Sequence, residues 1–487
     1  MGYGRVAVAL VAAASLFAVS TSARAALPIP SVPGSLLVPD FIGAPSSAAP
    51  IPSFTVPQNP HLAPNGANNM HDDAYATNSY LGPGPSGHGT KVTSALYGVE
   101  ECATEAFDRQ AQIVALCGLI SGPILRLLNP TTMDVRASYT LPGRDLTSGA
   151  NPLTDLCGGA YFYLDDQDRA VVATTNAQIR VVADTGSSFS LVRTYDVSAS
   201  VPSGDCLIAL MPSWDGTIWF VTHGGTVGMV NPVSGAVHTL ALPGEIVANS
   251  FAVDETGGVY VVSDHAMYRF DAAPDATPAV TWRAPYDRGS AQKPGQLSQG
   301  SGTTPALVGS DLVAITDNAD PQMHVVLYNR ATGAFVCQQA VFAPGASDTE
   351  NSLVAVGNSL IAENNYGYQG PQSTLLGKTT SPGIAKVDVN DGQCSLAWTN
   401  NSSAPTSVAK ASLQSGLLYA YTKPANALSI DAWYLTAIDI RTGRTAFSKL
   451  AGTGPQFNNH YAAIYLGPDG SAYIATLTGM LRFRDSA

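Results

Sequence analysis

The sequence predicts an all-β fold, an eight-bladed β-propeller, and three observations predict it. Eight strand-like segments recur with related endings, a turn signal precedes most of them, and the composition leaves little room for helices. Only 12% of the residues are charged, against 46 Gly and 33 Pro, so few stretches escape glycine, proline or a β-branched cluster for long enough to form a helix.

The recurring segments are IVALCGL (113–119), AVVATTN (170–176), TIWFVTH (217–223), GVYVVSDH (258–265), LVAITDN (312–318), SLIAENN (359–365), LLYAYTK (417–423) and SAYIATL (471–477). Turn signals such as Asp215-Gly216, Thr256-Gly257-Gly258, Gly357-Asn358 and Asp469-Gly470 would join each to an earlier strand in a hairpin. A further strand follows each segment, for example TVGMVNPVSG, MHVVLYNRATG or YLTAIDIRTG, and several then turn at Ser-Gly, Thr-Gly or Asp-Gly into an apolar outer strand. Four strands per unit, repeated every ~40 to 60 residues, is the grammar of a propeller blade. A pair of β-sandwiches gives no reason for one pattern to run the length of the chain.

The eighth unit stops at Ala487 after its third strand, so a segment ahead of the first repeat is expected to close the ring as the missing outer strand. A seven-bladed ring follows instead if the first unit, Thr93 to Leu141, is an insertion. Residues 1–25 carry Arg5, an apolar run from Val6 to Val19 and the exit Ala23-Arg24-Ala25, which reads as a secretory signal peptide; the run is too short to span a membrane. Residues 26–60 form a Pro/Ala/Ser-rich extension expected to lie extended or along the surface, and 61–487 form one propeller domain.

Six cysteines in an exported chain suit three disulfides. The repeat places Cys102 and Cys117 beside one hairpin, Cys157 and Cys206 before first strands of consecutive blades, and Cys337 and Cys394 on consecutive outer strands. Sequential pairing is therefore expected. A net charge of -12 argues against nucleic acid and against a polybasic membrane contact. There is no CxxC, no G-x-S-x-G, no phosphate-cradling glycine loop and no H-E-x-x-H. Asn400 and Asn401 each begin an N-x-S sequon, which matters only in a glycosylating host.

The strand endings and Thr-Gly turns of AIDIRTGRTAFSKL and LYNRATGAFVCQQ resemble the repeat of pyrroloquinoline-quinone (PQQ) propellers and their cofactor-free relatives. The resemblance covers most of the chain, through a short motif, and implies an eight-bladed fold. It implies no quinone site: that family holds its cofactor between a tryptophan and adjacent cysteines, and here no two cysteines are neighbours. Only Trp398 is expected at the blade-end tryptophan position. A PQQ oxidoreductase stays open as an alternative.

Because first and second strands are antiparallel, the starts of the first and the ends of the second share one face of the disc. Polar residues gather there: His223, His265, Asp317, Asn318, Glu363, Asn364, Asn365 and Tyr366 at second-strand ends, and Thr304, Glu350, Asn351, Asn459 and His460 at first-strand starts. Carboxylates and amides are ligands for Ca²⁺, so Asp317, Glu350, Glu363 and Asp73 form a candidate metal set. An axial metal would resemble the calcium-bearing lactonase and phosphotriesterase propellers, which have six blades. Glu350, Glu363 and His460, with His71 and Asp72 from a His-Asp-Asp cluster before the first blade, are candidate acid/base groups for hydrolysis or elimination. Asn318, Asn351, Asn364, Asn365, Tyr366, His223, His265, Asn459 and Thr304 are candidate ligand-binding residues. The expectation is an extracytoplasmic protein, secreted or attached to the cell envelope, whose funnel takes a small molecule or glycan, as a metal-assisted hydrolase, lactonase or lyase. A non-catalytic envelope scaffold is the opposing reading.

Overall fold

The computed structural model describes residues 26–486 apart from 33, 48, 120–121, 145–154 and 159–160; the segment expected to be a signal peptide, 1–25, lies outside the described residues. Eight separate antiparallel sheets succeed one another along the chain, which makes an eight-bladed propeller, and no α-helix occurs among the described residues. Blade 1 is Glu100–Phe107, Ile113–Leu119, Ile124–Leu128 and Val135–Thr140, so the first unit is a blade and the seven-bladed alternative falls. Blades 2 to 7 open with Phe162–Leu164, Leu207–Pro212, Ala252–Val253, Ala306–Val308, Val354–Val356 and Lys410–Ser412. Those inner strands are wholly buried, whereas outer strands such as Phe189–Asp196 and Gln393–Asn400 alternate or face water.

Blade 8 consists of Ile464–Leu466, Ala472–Thr476 and Gly479–Arg484, completed by Lys91–Leu96, which pairs antiparallel with the last of these from Lys91↔Arg484 to Leu96↔Gly479. Ring closure by a segment from near the N-terminus is thus as expected. Such closure leaves no long sheet edge open to a foreign strand.

The turns are built by side chains that bind their own backbone. Asp254 Oδ1 accepts from the N–H groups of Thr256 and Gly258, and Asp165 does the same for Gln167 and Arg169. At the motif turns, Asn329 Oδ1 accepts from Ala331 and Thr332, and Gly333, at φ 72°, donates back to the Asn329 carbonyl at 2.8 Å. A Cβ at Gly333 would lie 2.6 Å from the Trp282 indole, and one at Gly443 would lie 2.5 Å from Trp398. Glycine is therefore needed for both φ and room. Trp282 Nε1 donates to the Arg330 carbonyl and Trp398 Nε1 to that of Ile440, so two tryptophans dock on the following blade where the sequence suggested one.

Where it is described, the chain ahead of residue 59 runs along the ring: Phe41–Gly43 extends the outer edge of blade 7, and Ile51 donates to Leu413 beside that blade's inner hairpin. Residues 59–80 then cross the channel on the hairpin face as a plug. Their carbonyls at Ala67, Ala74, Tyr75, Thr77 and Asn78 accept from Phe107, Val253, Leu307, Ala355 and Ala411, the inner strands of blades 1, 4, 5, 6 and 7. Ala63 and Asn68 bond Leu164 of blade 2, and Asn59 Nδ2 donates to Pro212 of blade 3. Inner-strand groups that would otherwise need water in the channel are satisfied by the plug.

The disulfides pair sequentially, Cys102–Cys117, Cys157–Cys206 and Cys337–Cys394, as expected. Three such bonds suit an oxidising compartment.

Candidate functional site

Since the plug shuts the hairpin face, the channel is a funnel open only on the face where first strands begin. Its inner cavity, about 150 Å³, has Met70 and His71 of the plug as its floor. First-strand starts supply the walls: Glu101 of blade 1, Tyr161 of blade 2, Ile208 of blade 3, Asn249 of blade 4, Glu350 of blade 6, Val408 of blade 7 and His460 with Tyr461 of blade 8. Convergence of many blades on one mouth follows from the common strand polarity, as the sequence pattern suggested.

Three ionisable groups give the cavity its character. Glu101 Oε1 accepts from the His460 N–H at 2.9 Å, and burial raises its carboxyl to about 8 in spite of that bond. Glu350 Oε2 accepts from the Leu297 N–H at 3.0 Å, and burial holds it well above the carboxylate range. His71 is neutral: burial, then the nearby Lys410 charge, lowers it to about 3. Asn78 turns its Nδ2 to the Leu353 carbonyl, so its Oδ1 must accept from His71 Nδ1 at 3.2 Å. That places the ring proton on Nδ1 and leaves the lone pair on Nε2, a buried atom with no hydrogen-bond partner.

The mouth is crossed by residues 293–297. Lys293 Nζ donates to the Ala319 and Ser347 carbonyls, Gly367 donates to the Pro294 carbonyl, and the Tyr461 hydroxyl donates to that of Gly295 at 2.9 Å. Tyr461 holds a φ of 63°, costly for an aromatic residue, and its ring meets Tyr368 edge-on at 5.5 Å. Tyr368 in turn hydrogen-bonds His460 Nδ1.

The other anticipated residues are taken up by the scaffold. Asp317 is bound by the His324 ring at 2.8 Å and the His324 N–H, Asp73 by the N–H groups of Tyr75 and Thr77 and the Thr77 hydroxyl, and Glu363 by Asn351 and the Ala409 N–H. Together with Glu350 they were expected to hold Ca²⁺, and they do not converge. Among the described residues, the one group of three possible ligand atoms close enough to share an ion is Glu100 with Cys102 and Cys117, whose sulfurs are bonded to each other. Asp72 pairs with Lys410, and Asn318, Asn364, Asn365 and Asn459 clip loops through backbone carbonyls. Tyr366 binds the turn at 364 through its N–H, His223 bonds Cys206 and Val247 through its backbone, His265 sits beside Asp264, and none of the three borders the cavity. Thr304 is buried at the start of blade 5, beside Tyr161. Glu101, Tyr161 and Tyr461 were not anticipated. Glu101 stands at a first-strand start, as Glu350 does, and that shared position was the available signal.

No family model matches the chain. An uncharacterized protein of Archaeoglobus fulgidus is 30% identical over 321 residues, 58% of this chain and 61% of that protein, so the chain spans about three-fifths of the curated relative's length. Among solved structures, the quinohemoprotein alcohol dehydrogenase of Comamonas testosteroni is similar, with a TM-score of 0.57 at 10% identity over 89% of this chain and 82% of that one. A europium-containing methanol dehydrogenase aligns with a TM-score of 0.53 at 12% identity, over 84% and 88%. At the level of the fold, the chain is an eight-bladed β-propeller that resembles these quinoprotein dehydrogenases.

The cavity does not fit that quinone. No tryptophan borders it: Trp219 and Trp433 are core residues, Trp282 and Trp398 dock blades, and Trp214 packs beside the core. PQQ is a planar tricarboxylate, and here it would meet the carboxyls of Glu101 and Glu350 and one cation, Arg144, already paired with Asp155 at 2.6 Å. Cys117 borders the cavity through a cross-strand disulfide, not one between neighbours in sequence.

Proposed function

We propose that the chain works outside the cytoplasm as a funnel enzyme that binds a small, uncharged, hydroxyl-bearing molecule and cleaves it by proton transfer, as a hydrolase or lyase. One observation carries this reading: two carboxyls kept protonated by burial, Glu101 and Glu350, share the walls of one funnel cavity that a neutral imidazole helps to floor. Glu101, with a value near neutrality, is the group able to give up and regain a proton during turnover. Glu350 stays neutral and offers an O–H to a ligand oxygen, while the neutral His71 ring puts no charge beneath the ligand. The unpaired polar atoms discriminate against apolar ligands, which would leave them unsatisfied.

The test is turnover of aryl glycosides, lactones and neutral oligosaccharides by the wild type and by Glu101→Gln. Loss of roughly a hundredfold or more in kcat is expected, with a rate that declines above about pH 8 as the acid form of Glu101 is lost. Unchanged turnover in Glu101→Gln would remove it from the mechanism. Binding without turnover in the wild type would leave a binding protein, and neither would favour a scaffold.

A further inference from the structure

We infer that the substrate is an uncharged glycan chain taken by one end, with a single terminal ring entering the inner cavity and the next few rings held in the vestibule above it. This rests on the funnel reading of the preceding section and adds the class and polarity of the ligand.

The two chambers differ in size and chemistry. A cavity of about 150 Å³ has room for one six-membered ring. The vestibule, about 470 Å³, is roughly three times larger, and the two share Leu297, His460 and Tyr461 as a common wall. A ligand filling both must therefore be elongated, with one unit past that gate. The plug makes the end compulsory: with residues 59–80 hydrogen-bonded to inner strands of seven blades, no chain can thread through the ring.

The lining of the vestibule selects against charge. Gln292, Gln369 and Gln372 have exposed side chains, and Tyr461 offers a half-buried ring backed by the buried Tyr368. Among the described residues, its one lysine, Lys293, already serves two carbonyls, and no carboxylate lines it. Amides and aromatic rings are groups that pair with hydroxyls and with the apolar face of a sugar. They have nothing to neutralise the acidic groups of a polyuronate or a sulfated chain, and the net charge of -12 would repel one.

The experiment is calorimetric titration with neutral oligosaccharides of one to six units, in hexose and N-acetylhexosamine series, alongside cyclic oligomers of the same sugars and acidic oligouronates. Affinity is expected to rise from one unit to about four and then level off, with cyclic and acidic oligomers failing to bind. In Gln369→Ala/Gln372→Ala the gain with length should shrink by roughly tenfold, measured against the monosaccharide as internal reference. Cyclic oligomers binding as well as linear ones would overturn end recognition, and so would a monosaccharide binding as tightly as its trimer; both leave the inner-cavity reading intact. No binding by any neutral sugar, with turnover of a lactone, would overturn the glycan assignment alone. Absence of both would overturn the two readings together.

Discussion

Lys410 of blade 7 and Asp72 of the plug lie 3.3 Å apart, Nζ to Oδ1, with both side chains buried. Lys410 Nζ also donates to the Met70 carbonyl and to Asn78 Oδ1, the atom that fixes the His71 tautomer. One ammonium thus anchors the cavity floor. Removing one partner of a buried pair typically costs about 3–5 kcal/mol, because the other is left uncompensated. Lys410→Met should lower the melting temperature sharply, and Lys410→Met/Asp72→Asn should recover part of the loss. A single variant that melts like the wild type would mean that the plug is not held by this pair.

Stability should fall as solutions become alkaline. Burial raises Asp73 to about 7 and Asp348, Glu101 and Glu363 to about 8, all above their ordinary values of 3.8 to 4.5. The folded chain then holds protons that the unfolded chain has released, so this stabilisation is complete in acid and is lost as pH rises through those folded values. His71 acts in the opposite sense, but only below 6.5, where the unfolded ring gains a proton that the folded one refuses down to about 3. Above about pH 6.5 His71 no longer contributes, while His324, raised by its hydrogen bond to Asp317, acts in the same sense as the carboxyls, and the urea midpoint should decline between about pH 6.5 and 8.5. Glu363→Gln should reduce the slope. A flat midpoint would mean that these groups are hydrated in solution.

Ring closure depends on Lys91–Leu96 meeting Gly479–Arg484. A chain ended at Thr478 loses the strand that joins Lys91–Leu96 to blade 8, together with the buried Met480, Leu481 and Phe483. It should lose its cooperative melting transition in calorimetry. A sharp transition near the wild-type temperature would show that the ring holds without its clasp.

The Tyr461 hydroxyl is the link from blade 8 to the mouth loop at Gly295. Tyr461→Phe should increase amide exchange in residues 293–297 while shifting the melting temperature only slightly, since one hydrogen bond is worth about 1 kcal/mol net. Exchange spread evenly over the protein would assign Tyr461 to general stability instead of the gate.

The fold was legible because each blade repeats one local rule: an Asx or glycine turn, a buried apolar strand, an outer strand facing water. Blade count, the clasp and the disulfide pairing all followed from placing residues on that repeat. The site was legible only in part. Glu350, His460 and His71 reach the cavity, but sequence does not distinguish a carboxylate at a strand end that faces the axis from one that ties its own loop, as Asp317 does with His324. Asp73 sat in a ligand-rich run and turned out to cap its own turn through Tyr75 and Thr77. Glu101 escaped notice because the first unit is the least regular of the eight, so its register was hard to set. Trp282 was overlooked although it holds the position that Trp398 holds, opposite Arg269 as Trp398 is opposite Lys386 and at the same kind of register shift.

The plug and the clasp also set a schedule. Residues 59–80 and 91–96 leave the ribosome early, yet their partners include Ala411 and the strand ending at Arg484. The earliest parts of the domain must therefore wait for the latest, and contacts so distant along the chain are slow to form. Blades 2 to 6 can assemble as they emerge, each from its own consecutive strands. Until blade 8 forms, however, the funnel lacks the wall that His460 and Tyr461 supply, and Lys91–Leu96 lacks its partner strand. The cavity wall is complete only once blade 8 is in place, and a chain cut short before His460 lacks part of it.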